Sequence, residues 1–366
     1  KNIRPLPAVK EKLVDGKLVR YDEFSDIELR YRKRYLDLLL NPEHRKVFIV
    51  RAKIISAIRD YLDSRDYTEV ETPILQPLYG GANARPFVTH HNTLDTDLYL
   101  RIATELYLKR LIVGGFERVY ELGKDFRNEG MDRTHNPEFT MLELYEAYSD
   151  LEGMISITEG MIRHLATDVL RKDEFHYRGH TVNLAQPFLR APMIQLVKEH
   201  VGIDLSDMNL ERALAFCKER RLEIPAGAGV GRLIALLFEH YVEEKLVQPT
   251  FVTDFPKEIS PLAKAKPGNP DLAERFELFI AGHEFANAFS ELNDPLDQRE
   301  RLEAQASLRA LGDEEANVVD EDFLEALEYG MPPMGGMGIG IDRLVMLLTE
   351  NDSIKEVILF PQMKPE

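Results

Sequence analysis

The stretch from Phe126 to Tyr148 constrains the fold more than any other part of the chain. Residues 138–148 read EFTMLELYEAY, a long strand. Phe139, Met141, Glu143 and Tyr145 share one face of it, and Leu142 and Leu144 share the other. Before it stands FRNEG, where Arg127 and Glu129 are two apart and so face one side of an extended chain. The short loop MDRT joins the two as a hairpin, and a link of that length suits only antiparallel neighbours. Arg127, Glu129, His135, Phe139, Glu143 and Tyr145 are thereby gathered on one concave surface.

The rest of the chain is consistent with such a sheet. Asp26 to Leu40 is helical and charged, and Asn41-Pro42 breaks it. Apolar residues at helical spacing from Val47 to Leu62 predict an amphipathic helix over Glu43 to Leu62. TEVETPIL predicts a short strand with a proline, Pro73, at its end. The Gly-containing YGGANARPFVTHH predicts a loop and strand, and Tyr99 to Ile102 a further strand. Glu105 to Val113 predicts a helix ended by Gly114-Gly115. Phe116 to Arg127 reads as strand, turn, strand. Asp150 to about Leu246 reads as mostly helical, an insertion interrupting the sheet. TFVTDFP, RFELFIAG and NAFSELND resume strands, PLDQRERLEAQASLRAL is a charged helix, and GGMGIGIDRLVMLLT runs from strand into helix. Strand-turn-strand units separated by helices predict an α+β fold, an antiparallel sheet flanked by helices, and no Rossmann alternation. Residues 1–25 mix Pro, Gly and charges and read as a tail or linker remnant.

Composition narrows the function classes. The single cysteine, Cys217, excludes an internal disulfide framework and a Cys-rich zinc site, and it fits a reducing cytoplasm. No run of eighteen apolar residues would span a membrane, and the first residues lack the apolar core of a secretion signal. The net charge of −17 argues against nucleic-acid binding, although RYRKRY at 30–35 can supply one basic patch.

Three further groups of residues carry chemistry. Arg127 can clamp a phosphate or carboxylate bidentately and Phe139 can stack on a purine, although an exposed sheet face laced with salt bridges would read alike. In GMGIGIDR, glycines allow close backbone approach and Arg343 near a helix start can meet a phosphate; tight helix–strand packing is the competing reading. In RFELFIAGHEFANAFSELND, Asn287, Phe289 and Glu291 alternate onto one side. Glu277 and Glu284 lie seven apart across Gly282, placed to share one hard cation unless they belong to a solvated edge strand.

Taken in order, the helix-strand-Pro segment Lys46 to Pro73, FRNEG with HNPEF, and GMGIGIDR resemble the three motifs of class II aminoacyl-tRNA synthetases. RYRKRYLDL, GGANARPFVTHHN, RIATELYLKR, HNPEFTMLELYEAY and AFSELNDP are similar, more narrowly, to the lysyl-tRNA synthetase family from about Asp26 onward. The resemblance implies ATP, lysine and tRNA(Lys) as substrates, magnesium with the ATP, a homodimer and a cytoplasmic setting. It implies Arg127 and Arg343 as the catalytic pair. Arg127 holds the α-phosphate and the lysine carboxylate, Glu129 meets the adenine amino group, and His135 and Arg343 grip the γ-phosphate. Phe139 and Arg343 sandwich adenine, and Asn136 belongs to the same ATP site. Gly81 and Glu105 receive the α-ammonium of lysine. Glu143, Tyr145 and Glu291 meet its ε-ammonium, Asn287 and Phe289 line the pocket, and Glu277 and Glu284 bind magnesium. Residues 26–366 are expected as the catalytic domain with an insertion at about 150–246. Residues 1–25 resemble the linker that would follow the family's anticodon-reading domain, as in a truncated chain or a short form.

The sequence departs from the family pattern at His283 and Phe285, in GHEFAN where GREIAN is usual, and at Thr104, where proline is common. His283 is expected to weaken a supporting salt bridge. Two other readings stay open on sequence: a short paralogue that lysylates a translation factor, and a non-catalytic regulator. The latter would typically lose Arg127 and Arg343, which are present.

Overall fold

The computed structural model describes residues 9–14, 17–22, 24, 26–203, 209–225, 227–310 and 318–365. The chain opens with strands β1 (Val9–Val14) and β2 (Lys17–Asp22), paired antiparallel. This part of residues 1–25 is a hairpin where an irregular tail is expected; the others, except Phe24, lie outside the described residues. Short helices α1 (Ile27–Arg32) and α2 (Arg34–Leu40) lead to the long helix α3 (Pro42–Asp63), with Pro42 at its first turn, where a missing N–H costs nothing. Ile54, Ala57, Ile58, Tyr61 and Leu62 form its buried face.

The stretch TEVETPIL is not one strand. It keeps only β3 (Thr68–Glu69) and β4 (Leu75–Gln76). Between them Pro73 has no N–H, and the Thr72 N–H and hydroxyl both donate to Glu121 Oε2, at 3.0 and 2.7 Å, so the backbone is diverted to a side chain. Strands β5 (Val88–His91) and β6 (Thr96–Leu100) join β4 in a small sheet, and helix α4 (Glu105–Val113) follows.

Residues 116–127 form one uninterrupted strand, β7 (Arg118–Phe126), rather than strand, turn, strand. Gly123 lies mid-strand because the Arg101 guanidinium occupies the space a side chain would need. Strand β8 (Glu138–Ala147) pairs with β7 antiparallel, from Arg118↔Glu146 to Phe126↔Glu138.

Beyond β8 comes helix α5 (Leu151–Arg163), its Asp150 cap accepting from Gly153 N at 3.0 Å, and a π-helical turn at His164–Leu170. The segment expected to be mostly helical then contains strands β9 (Glu174–Tyr177), β10 (His180–Asn183) and β11 (Leu189–Pro192) before helices α6 (Met193–Val201), α7 (Leu210–Glu219) and α8 (Val230–Tyr241). Arg178 and Gly179, with φ of 51° and 81°, make the β9–β10 turn, and Phe175, Tyr177 and Val182 bury its apolar face.

The chain returns through β12 (Thr250–Pro256), β13 (Ala265–Lys266), β14 (Asn269–Ile280) and β15 (His283–Ser290). Helices α9 (Pro295–Ala310) and α10 (Glu321–Glu328) precede β16 (Met334–Gly340), α11 (Ile341–Leu348) and α12 (Ile354–Val357).

The main sheet runs β11-β12-β14-β15-β16-β8-β7-β3. Its six central strands are antiparallel, as expected; only the edge strands β11 and β3 pair in parallel. Strand parity divides its residues. Leu142, Leu144, Phe276, Leu278, Ala286, Ala288, Met337 and Ile339 enter a core with α3, α5 and α11. Tyr145 packs instead with residues of α4, α9 and α10. The insertion helices α6, α7 and α8 have a core of their own against Val252, Phe255 and Phe279. Among the described residues, no helix is long and apolar enough to cross a membrane.

Candidate active site

The face of the sheet turned away from α3 and α11 forms the floor of a cavity of about 420 Å³. All fifteen residues singled out in the sequence line it: Gly81, Glu105, Arg127, Glu129, His135, Asn136, Phe139, Glu143, Tyr145, Glu277, Glu284, Asn287, Phe289, Glu291 and Arg343. They come from the loop after β4, the start of α4, the β7–β8 hairpin, strands β14 and β15, and the start of α11.

One end is cationic. Arg127 follows β7, its N–H donating to Pro137 O at 2.9 Å, and its guanidinium lies over the Phe139 ring at 5.1 Å. Arg127 Nε is buried without a hydrogen-bond partner. Asp132 closes the hairpin loop by accepting from the Thr134 and His135 N–H groups at 2.6 and 2.7 Å. Asp132 Oδ2 also lies 2.8 Å from His135 Nδ1, while His135 Nε2 lies 3.4 Å from Arg343 Nη2. That arrangement suits Nδ1–H donating to Asp132 and Nε2 accepting from Arg343. Arg343 also donates to the Glu284 carbonyl. The Asn136 side chain is committed to structure: Nδ2 donates to Glu138 O at 2.6 Å, and Oδ1 accepts from Gln362 N at 3.2 Å.

The other end is anionic and buried. Glu105, Glu143 and Glu291 are 6%, 7% and 1% exposed. Burial, with Asp125 and Glu105 adding repulsion, pushes the Glu143 carboxyl up to about 8. Burial pushes Glu291 up to about 8 as well, against the attraction of Lys109 and with repulsion from Glu105. Glu143 Oε2 accepts from the Tyr145 hydroxyl at 3.5 Å, and its Oε1 accepts from Thr104 N at 3.4 Å. The proline common at position 104 could not donate that bond. Gly336 lies where Glu291 Oε1 and the Tyr145 ring leave no room for a Cβ, so only glycine keeps this end open. Gly81, at φ +86°, crosses close over Ala103 and Glu105, whose Cβ atoms would stand 3.2 and 3.1 Å from an added Cβ.

Glu277 and Glu284 sit on the neighbouring strands β14 and β15, where Glu277 faces Asn287 and Glu284 faces Phe279. Burial raises the Glu277 carboxyl to about 8 against the attraction of Arg275, and Glu284 adds repulsion. Two carboxylates that repel each other at the cavity wall fit a divalent cation with oxygen preference. Among the described residues, no group of three His, Cys, Asp or Glu could hold a metal ion. Magnesium takes one or two carboxylates and completes its shell with phosphates and water, a demand that a pair such as Glu277 and Glu284 meets.

Several supporting residues were not singled out in the sequence. Arg275 donates to Asn287 Oδ1 at 3.1 Å and pairs with Glu277, orienting both; its position two before Glu277 on one strand was the available signal. Asp342 accepts from Thr140 N at 2.7 Å and pairs with Arg51 at 2.6 Å, fixing the start of α11 against β8 and α3. Lys109 lies one helical turn after Glu105 and pairs with Glu105 and Glu291. His283 lies near Arg178, Arg343 and His135. Burial, with repulsion from the Arg178 and Arg343 guanidiniums, holds its pKa down to about 4, so it is neutral at pH 7 and cannot form the salt bridge of an arginine.

The family model of class II tRNA synthetases (D, K and N) matches residues 26–364. A protein of Carboxydothermus hydrogenoformans named lysine–tRNA ligase is 54% identical over 367 residues, all of this chain and 73% of that protein. Proteins of the same name from Moorella thermoacetica (55%, 73% of its length) and Halalkalibacterium halodurans (54%, 71%) also match the whole chain.

Proposed function

The chain belongs to the class II tRNA synthetases of the D, K and N group, and from that premise we propose that it activates lysine with ATP and transfers it to tRNA(Lys), as a lysine–tRNA ligase. The observation that carries this reading is a single cavity with arginines at one end and three buried carboxylates at the other. A polyphosphate suits the arginine end, and the ammonium groups of a diammonium amino acid suit the carboxylate end.

In this account the lysine carboxylate and the ATP α-phosphate meet at Arg127, whose guanidinium neutralises both and holds them in line. Adenine stacks on Phe139 with Arg343 on its other face, and Glu129 accepts from its amino group. Arg343 and His135 hold the γ-phosphate, and Asn136 shapes the loop beneath it. The α-ammonium meets Glu105 and the backbone at Gly81. The ε-ammonium meets Glu291, Glu143 and Tyr145, between walls made by Asn287 and Phe289. Magnesium held at Glu277 and Glu284 would neutralise phosphate charge. The lysine carboxylate attacks the α-phosphate, forming lysyl-adenylate as pyrophosphate leaves. The 3′ hydroxyl of the tRNA's terminal ribose then attacks the acyl carbon and AMP departs. No protein nucleophile is required; positioning and preorganised charge lower the barrier.

Residues 26–366 act as the catalytic domain in this reading, with 150–246 as an insertion. The setting is cytoplasmic, which the single Cys217 suits. The enzyme works as a homodimer through α3 and the strand pieces after it. Ile49, Ile74, Leu75 and Leu78 are exposed there, the apolar surface a second copy would cover. Lysine-dependent exchange of labelled pyrophosphate into ATP tests the assignment: exchange that requires lysine supports it, and exchange driven by another amino acid refutes it.

A further inference from the structure

Lys109 is a fully buried ammonium to which the proposed reaction gives no task. It projects from α4 and does not line the cavity. Its Nζ lies 2.6 Å from Glu105 Oε1 and pairs with Glu291 Oε2, while the rings of Tyr145 and Phe323 flank it, each 6.0 Å away. Glu105 is assigned to the α-ammonium of the substrate and Glu291 to its ε-ammonium. One hidden cation therefore braces the carboxylates that grip opposite ends of the amino acid. Glu291 Oε1 finds no hydrogen-bond partner in the protein.

Charge counting shows why a cation is needed there. Glu105, Glu143 and Glu291 are three buried carboxylates at one end of one cavity. Lysine brings two ammonium groups, and its carboxylate is met by Arg127. Two ammoniums would leave one buried carboxylate uncompensated, which a low-dielectric site tolerates poorly.

We propose that Lys109 is a positioning and specificity-determining residue of the amino-acid pocket, a built-in third ammonium that fixes Glu105 and Glu291 and leaves the pocket balanced only by a diammonium substrate. The inference rests on the lysine-activation reading. The groups that face Lys109 are Glu105 on its own helix, Glu291 after β15, Tyr145 on β8 with Glu143 beside it, and the apolar Phe323 on α10. Burial opposes its charge, but the attraction of Glu105 and Glu291 prevails and raises its pKa. Without Lys109 the carboxylates hold their protons to higher pH, and lysine must displace them to bind. Lysine binding then weakens at neutral pH, and a mono-ammonium amino acid is rejected less well.

The test is lysine-dependent pyrophosphate exchange from pH 6.5 to 8.5 in the wild type, Lys109→Met and Lys109→Arg. In Lys109→Met the KM for lysine should rise about tenfold or more, with the KM for ATP nearly unchanged. The acid limb of kcat/KM for lysine should move up by about one pH unit, as expected when a carboxylate loses an adjacent cation. Lys109→Arg keeps the charge and should keep the limb at its wild-type position. A limb that stays in place in Lys109→Met overturns the proposal and leaves Lys109 a packing strut. Should that variant not fold, nitrogen-15 NMR of lysine-labelled wild-type enzyme decides. A slowly exchanging ammonium that persists at pH 9 is expected, and a neutral amine at Lys109 overturns the proposal. Absence of lysine-dependent exchange in the wild type strikes at the activation reading instead.

Discussion

The guanidinium of Arg127 lies over the ring of Phe139, 5.1 Å from its centroid, with Nε buried and unpaired. The pair joins the surface proposed for adenine to the charge proposed for the α-phosphate. Arg127→Ala should abolish adenylate formation, with exchange falling by a factor of about a thousand or more, in the range seen when a transition-state charge contact is removed. Arg127→Lys should restore little, because an ammonium cannot bridge two anions with a planar fork. Exchange assays on both variants check this; near-normal rates in Arg127→Ala refute the role.

The Gly336 position makes a steric prediction. A Cβ there would collide with Glu291 and Tyr145, side chains assigned to the ε-ammonium. Gly336→Ala should raise the KM for lysine about tenfold or more, the cost of a misplaced contact in a closed pocket, and leave the KM for ATP nearly unchanged. Equal losses for both substrates would show that this end of the cavity does not hold lysine.

Glu143 and Glu291 give a pH dependence. Both carboxyls are pushed up to about 8, mainly by burial, and only their ionised forms attract an ammonium. Below pH 8 lysine must displace protons to bind. Its affinity should therefore rise as pH increases from 6.5 to 8, with proton release measurable by calorimetry in buffers of different ionisation enthalpy. Affinity that falls over this interval contradicts the assignment.

Glu277→Gln and Glu284→Gln should each raise the magnesium concentration needed for half-maximal exchange. Each removes one of the two anionic oxygen donors expected to meet the metal. Saturating magnesium should recover much of the rate. A requirement unchanged in both variants would place the metal elsewhere.

Much of this site was legible in the sequence because strand parity is a strict rule: Glu143 with Tyr145, and Asn287 with Phe289, had to share a face once their strands were recognised. Antiparallel order followed from the short loop between Arg127 and Phe139. What the sequence hid was held by side chains from afar. Gly123 looked like a turn because nothing local reveals that Arg101 lies against it. TEVETPIL looked like a strand because the bonds from Thr72 to Glu121 span 49 positions. The β9–β10 hairpin was missed in a segment read by its helical stretches, although Arg178-Gly179 was a turn signal. Within residues 1–25, Asp15-Gly16 between alternating residues was a comparable signal for the β1–β2 hairpin. Lys109 was overlooked because it sits on a helix that supplies Glu105, and a lysine is rarely assumed to be buried.

The central claim is that a buried carboxylate at Glu291 selects lysine by its ε-ammonium, and one set of measurements tests it most directly. Pyrophosphate exchange is followed with lysine, ornithine, arginine and methionine in the wild type and in Glu291→Gln. A neutral side chain leaves a buried carboxylate unpaired, so the wild type should reject methionine far more strongly than shape alone allows. The Gln variant should show a strongly raised KM for lysine, near-normal ATP binding and a collapsed preference for lysine over methionine. Tyr145→Phe should do the same more mildly, by about 0.5–1.5 kcal/mol, the worth of one neutral hydrogen bond. Normal lysine affinity and discrimination in Glu291→Gln would contradict the account and place the ammonium elsewhere.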